Sequence, residues 1–365
     1  MRKLPFAAAV VAAGLSVAAA HASTIILGGY PSSLMFINEQ KGAIVQKLPL
    51  STGLPSSFRL SDDKKKLYVV TNDHTGIEVV DLATRKVINQ FVLNDNKTSY
   101  RISTVTPDPT GKLLYAIMTK MNKEIDRWEI EKPKFFVIDI EQKKIVSSHD
   151  IDKEDQDSFR GYGRGRMEIS TDGKYLYQFG AKIVVIDTSN FKIVDRIELE
   201  KPELPGLENV AFGGALDSIS RPGEYVSIFN APDPFTQKSV FGVAKFNLQT
   251  REYSFMPIGP SPDHMGGLQV SPNQKDAYTV VENGTLGNKR CEIWHFDLSN
   301  NVIKDKAEFA CRVRYYFGMS GDGKKLYFYG AGYDVQVVDA QTLKLEATWD
   351  LNNDITMAGF AVVGE

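Results

Sequence analysis

The sequence predicts an all-β fold, a seven-bladed β-propeller whose ring is closed by a C-terminal strand joining the first blade. Three observations predict it. A strand–turn–strand phrase recurs along the chain, a second recurring half completes each unit, and the first unit lacks one strand that the tail can supply.

The first recurring half is an apolar strand, a polar turn such as S-x-D-G-K, then L-Y and further apolar residues. It is clearest as FRLSDDKKKLYVV from Phe58, MEISTDGKYLYQF from Met167 and FGMSGDGKKLYFY from Phe317. Weaker copies are STVTPDPTGKLLYAIM from Ser103, ALDSISRPGEYVSIF from Ala215 and LQVSPNQKDAYTVV from Leu268. The second half is an alternating strand ending in Asp or Asn, a short turn and a last strand, as in IEVVDLATRKVINQFVL or IVVIDTSNFKIVDRIEL. The Tyr anchors Tyr68, Tyr115, Tyr177, Tyr225, Tyr278 and Tyr327 mark six complete units. The seventh is split: residues 34–50 give a second half preceded by Ile25-Ile26-Leu27, and residues 357–363 can supply the missing inner strand. Such closure leaves no open sheet edge.

The strands are short, β-branched and aromatic, with period-two alternation, and the turns are polar. One such sheet cannot bury both faces, whereas seven side by side can, so residues 23–365 form one domain. At the turn from third to fourth strand stand Asn38, Asp81, Asp139, Asp187, Asn247, Asp297 and Asp339. Their expected role is a side-chain bond to turn backbone, not catalysis.

Residues 1–22 are read apart from the fold. Met1-Arg2-Lys3 is cationic, residues 4–20 are uncharged and apolar, and Ala20-His21-Ala22 precedes Ser23. This is the layout of a secretory signal peptide cleaved after Ala22, with a retained anchor as the alternative. No later stretch approaches the ~20 apolar residues of a membrane span. The expected location is periplasmic. The 43 basic and 45 acidic residues nearly cancel, which argues against nucleic acid as a partner.

Cys291 and Cys311 are the two cysteines. A hairpin turning at Asn300-Asn301 sets them opposite each other at its open end, and export favours a disulfide; buried free thiols are the alternative. The chain has no C-x-x-C-H, no H-E-x-x-H and no G-x-S-x-G. The acidic run at 150–157 lacks the Gly and Glu of an EF-hand and reads as a solvated loop. GYGRGR at 161–166 has no helix after it and makes a weak phosphate loop.

The loops before each inner strand and between second and third strands share one face of a propeller. Here they bring His74, Arg101, Arg164, Arg166, His264, Arg314, Tyr315 and Tyr316 toward one mouth. Either these form a cationic, aromatic surface for a partner or ligand, or they are solvated loop residues. Insertions at 120–132, 229–240 and 283–290 fall between second and third strands, where binding function concentrates, and Trp128 and Phe235 lie in the first two.

Three segments carry a resemblance: LYVVTNDHTGIEVVDL at 67–82, RWEIEKPKFFVIDIE at 127–141, and RVRYYFGMSGDGKKLYFYGAGYDVQVVDAQTLKLEATWDL at 312–351. The chain resembles the β subunit of quinohemoprotein amine dehydrogenase and, more broadly, YVTN-type propellers. The resemblance implies a propeller with no prosthetic group of its own in a periplasmic complex. A di-haem cytochrome subunit with haem c and a small subunit bearing tryptophylquinone would supply the redox chemistry. Tyr315 and Tyr316 would then face the small subunit. The stretch 150–166 departs from the family pattern. A stand-alone propeller binding a small molecule or protein at its channel mouth is the alternative. A propeller lactonase would need acidic residues converging on calcium, and the inner-strand starts offer only Glu168 and Asp217.

Overall fold

A computed structural model of the chain describes residues 23–71, 75–159, 166–180, 182–197, 211–212, 221–232, 238–312, 316–355 and 359–364. The proposed leader, residues 1–22, lies outside them, as do His74, Arg164, Arg314, Tyr315, Asp217 and Phe235.

Seven antiparallel sheets, each in the order inner to outer strand, form the blades of a propeller. Blade one joins Phe360–Val363 to Thr24–Gly29, Ser33–Asn38 and Ala43–Pro49. Blade two is Pro55–Leu60, Lys66–Thr71, Gly76–Asp81 and Lys86–Val92. Blade three is Thr98–Pro107, Leu113–Lys123, Lys134–Asp139 and Lys144–Asp150, with Trp128–Ile130 added beside the far end of its second strand. Blade four is Arg166–Ile169, Tyr175–Phe179, Ile183–Asp187 and Ile193–Ile197. Blade five is Ala211–Phe212, Glu224–Pro232, Ser239–Asn247 and Tyr253–Pro260. Blade six starts with the short pieces His264–Met265 and Gln269–Val270, then Asp276–Asn283, Arg290–Asp297 and Val302–Phe309. Blade seven is Tyr316–Met319, Lys325–Tyr329, Asp334–Asp339 and Leu345–Asp350.

The ring closes as the repeats require. Phe360–Val363 pairs antiparallel with the first strand, Leu27 opposite Phe360 and Thr24 opposite Val363. Packing shows the same closure. Seven clusters of buried side chains each join two neighbouring blades, and one of them joins blade seven to blade one through Ile25, Leu27, Tyr327 and Val337. Ile26, one residue along, points the other way and packs against Phe58 and Val69 of blade two. This is why the middle strands read as near-continuous apolar runs: both faces meet a neighbour. Fourth strands such as Ala43–Pro49 alternate between exposed and half-buried.

The turns obey local chemistry. All seven Asp or Asn residues at the third-to-fourth-strand turn accept backbone N–H bonds; Asp339 Oδ1 takes those of Gln341 and Thr342 at 3.1 and 2.7 Å. Four residues after each, the chain turns through positive φ, at Gly42, Arg85, Lys143, Phe191, Arg251, Asn301 and Leu343. The first-to-second-strand turns use the same device, with Gly173 at φ 74° and Gly323 at φ 75°.

The first half of the repeat copy that begins at Ala215 lies outside the described residues as far as 220, and the described part of blade five's inner strand is Ala211–Phe212. Two sequence expectations shift. The insertion at 120–132 is largely strand, because Leu113–Lys123 runs on and Trp128–Ile130 folds back on it. The acidic run at 150–157 is not a simple solvated loop. Lys153–Phe159 is a 3-10 helix, and Asp155 is fully buried against Arg196 and Lys182.

Candidate functional site: the channel and its mouth

Inner strands surround the propeller axis, so side chains from different blades meet there. Arg59 of blade two reaches across to blade four. Its Nη1 lies 3.2 Å from Glu168 Oε1, Nη2 donates to the Met167 carbonyl, and Nε donates to the Val105 carbonyl of blade three at 3.1 Å. Arg166, two residues before Glu168 and on the same strand face, also bonds Glu168 Oε1. The three side chains are 11–19% exposed. Burial alone would raise the Glu168 carboxyl, but the Arg166 and Arg59 guanidiniums hold it below the ordinary glutamate range. The one inner-strand carboxylate among the described residues is therefore an ionised brace tying three blades together, not an open ligand.

Beside this brace, at the end of the channel formed by first-to-second-strand turns, is a cleft of about 90 Å³ lined by Asp62, Lys64, Tyr225, Arg221 and Gln274. Burial and the nearby Glu168 and Asp63 charges raise the Asp62 carboxyl.

The residues expected at the opposite mouth are distributed as follows. Arg101 is exposed on the inner strand of blade three. Arg166 opens the inner strand of blade four, and its guanidinium is held by Glu168. His264 is exposed and opens the first piece of blade six, opposite Glu282. Tyr316 opens blade seven and is stacked on Tyr329 at 5.4 Å; Tyr329 stacks in turn on Phe360 of the closing strand at 5.6 Å. These four share the inner-strand layer. Trp128, half-exposed, is set outboard on blade three. His74, Arg164, Arg314 and Tyr315 lie outside the described residues.

Cys291 and Cys311 form the disulfide, with Cα atoms 5.3 Å apart. The residue directly opposite Cys291 is Phe309, not Cys311 as the hairpin register suggested. Cys311 sits two residues beyond the fourth strand, so the bond pins the connection into blade seven. Next to it, Arg312 makes a two-pronged ion pair with Asp334, one contact being 3.0 Å.

Sequence reasoning missed Arg59. Its signal was a cation in a strand whose neighbours are apolar or small, but its partner lies 109 positions away. Asp152, Glu154 and Asp155 come together as acidic ligands could, yet Arg196 already bonds all three.

No protein-family model and no curated protein sequence matches the chain. Solved structures do resemble it. Hydrazine synthase of Kuenenia stuttgartiensis aligns over 86% of this chain and 90% of that one, at 17% identity and TM-score 0.51. A functionally unknown protein from Desulfotomaculum acetoxidans aligns over 94% and 99%, at 9% identity and TM-score 0.60. The dihydro-heme d1 dehydrogenase NirN aligns over 92% and 74%, at 12% identity and TM-score 0.52. At these identities the likeness is one of fold: the chain is a β-propeller, and no closer family is shown.

Proposed function

We propose that the chain is a non-catalytic propeller subunit of a periplasmic quinohemoprotein amine dehydrogenase. It would enclose a small quinone-bearing subunit and hold it beside a di-haem cytochrome subunit. On the resemblance of residues 312–351, both redox groups belong to those partners. The observation that carries the scaffold reading is the brace at the channel: Glu168, the one inner-strand carboxylate among the described residues, is held by Arg59 and Arg166 and ties blades together. Tyr316, exposed on its stack over Tyr329 and Phe360, supplies a rigid aromatic surface of the kind partners bury. No helix among the described residues is long and apolar enough to cross a membrane.

A second reading, a stand-alone propeller that binds a small polar molecule, is favoured by the cleft at the other channel end, whose lining includes Lys64, Arg221 and Asp62.

The test is affinity purification of the tagged chain from periplasm, followed by a visible spectrum and protein identification. A co-purifying c-type haem band with a small quinone-bearing chain supports the complex. A colourless protein purified alone contradicts it.

A further inference from the structure

Blade three carries an unfinished sheet. Its second strand runs past the blade to Lys123, and Trp128–Ile130 returns beside it, with Trp128 opposite Lys123 and Ile130 opposite Met121. The Glu131 N–H bonds to the Lys120 carbonyl at 2.9 Å, and the Glu124 N–H bonds to the Arg127 carbonyl at 2.8 Å. Antiparallel alternation then points the backbone groups of Glu129 inward and those of Trp128 and Ile130 outward. The blade's fourth strand would cover that outer edge if it ran further. It stops at Asp150, opposite Lys134, and no strand among the described residues lies beyond Trp128–Ile130.

Where a continuing fourth strand would lie there is instead a cleft of about 410 Å³, lined by Glu131, Lys134, Asp150, Ile151 and Gln156. Gln156 is 8% exposed. Its amide nitrogen donates to the Ile151 carbonyl at 2.8 Å, while its Oε1 has no partner. That acceptor is itself shielded, so what an incoming N–H or C=O can reach is the exposed strand edge and not Gln156.

We propose that this edge is a β-augmentation slot: an extended segment of a partner protein, alternating apolar and basic residues, adds itself beside Trp128–Ile130 as the missing fourth strand. The side chains set that alternation. Trp128 and Ile130, on one face, are 51% and 67% exposed and would pack on apolar residues. On the other face Glu131 is held by Lys120 and Lys134, whereas Glu129 is exposed with no ion pair and asks for a cation opposite. A second copy of this chain fits poorly, since two-fold pairing about Glu129 would set like charges face to face. The inference rests on the scaffold reading, but its test needs no haem or quinone subunit, so the two can fail separately.

The probe is a blocked hexapeptide of alternating lysine and valine, with a glutamate–valine peptide as control, added to the mature chain and followed by amide exchange and calorimetry. The lysine peptide is expected to bind saturably and slow exchange at Trp128 and Ile130. Ile130→Pro removes one outward N–H and leaves the internal ladder intact; it should weaken binding about tenfold. Glu129→Lys should transfer the preference to the glutamate peptide. No saturable binding of either peptide, or equal binding by the Ile130→Pro chain, overturns the proposal. So does a dimer whose amides at 128 and 130 are already protected without peptide.

Discussion

Glu168 is held between Arg59 and Arg166, and its charge is part of what keeps blades two and four in register. Removing one partner of a buried ion cluster leaves the other charges uncompensated, so Glu168→Gln is expected to destabilise the chain by about 3 kcal/mol at neutral pH in urea unfolding. The pH dependence follows from the direction of the shift. The folded carboxyl titrates below the unfolded one, so its contribution is complete above the ordinary glutamate pKa of about 4.3 and is lost as pH falls through the lower folded value. The gap between wild type and Glu168→Gln should therefore narrow below about pH 4; a gap that stays constant to pH 3 would rule out the charged brace. Asp339→Ala, which frees the Gln341 and Thr342 amides, should cost about 1 kcal/mol. That turn role was legible because the Asp or Asn recurs at a fixed place beside its own turn. Arg59 and Asp155 were not: their partners come from other blades or later strands, and local pattern says nothing about such distances.

At the scale of elements, the disulfide and the blade-three extension show how far a repeat can be read. Hairpin spacing and the expectation of export indicated the Cys291–Cys311 bond; the offset of Cys311 beyond the strand end was hidden because the turn closes at Asp297–Val302, earlier than a turn at Asn300-Asn301, and the bulge between His295 and Phe296 recovers only one position. At a sequence separation of 20, the bond should contribute roughly 3 kcal/mol by constraining the unfolded chain. Urea midpoints with and without a thiol reductant measure it, and identical midpoints would show that the bond carries no stability. The insertion at 120–132 read as a loop because its charges mask strand alternation, yet cross-strand pairing to Lys120–Lys123 makes it a sheet. The repeats of blades two, four and seven were the most legible, since Ser, Asp and a residue of positive φ recur in each first turn.

At the scale of the whole molecule, seven interfaces of equal kind make one cooperative ring, and the interface between blades seven and one is the last to be formed in chain order. Ala361 packs toward blade two and Val362 toward blade seven, so the closing strand is buried on both faces. Amide hydrogen exchange along Phe360–Val363 tests this closure most directly. A closed ring predicts that these amides exchange only on global unfolding, as slowly as those of Ile25–Leu27. Exchange at the rate of exposed loop amides would contradict it and, with it, the placement of every channel residue described above.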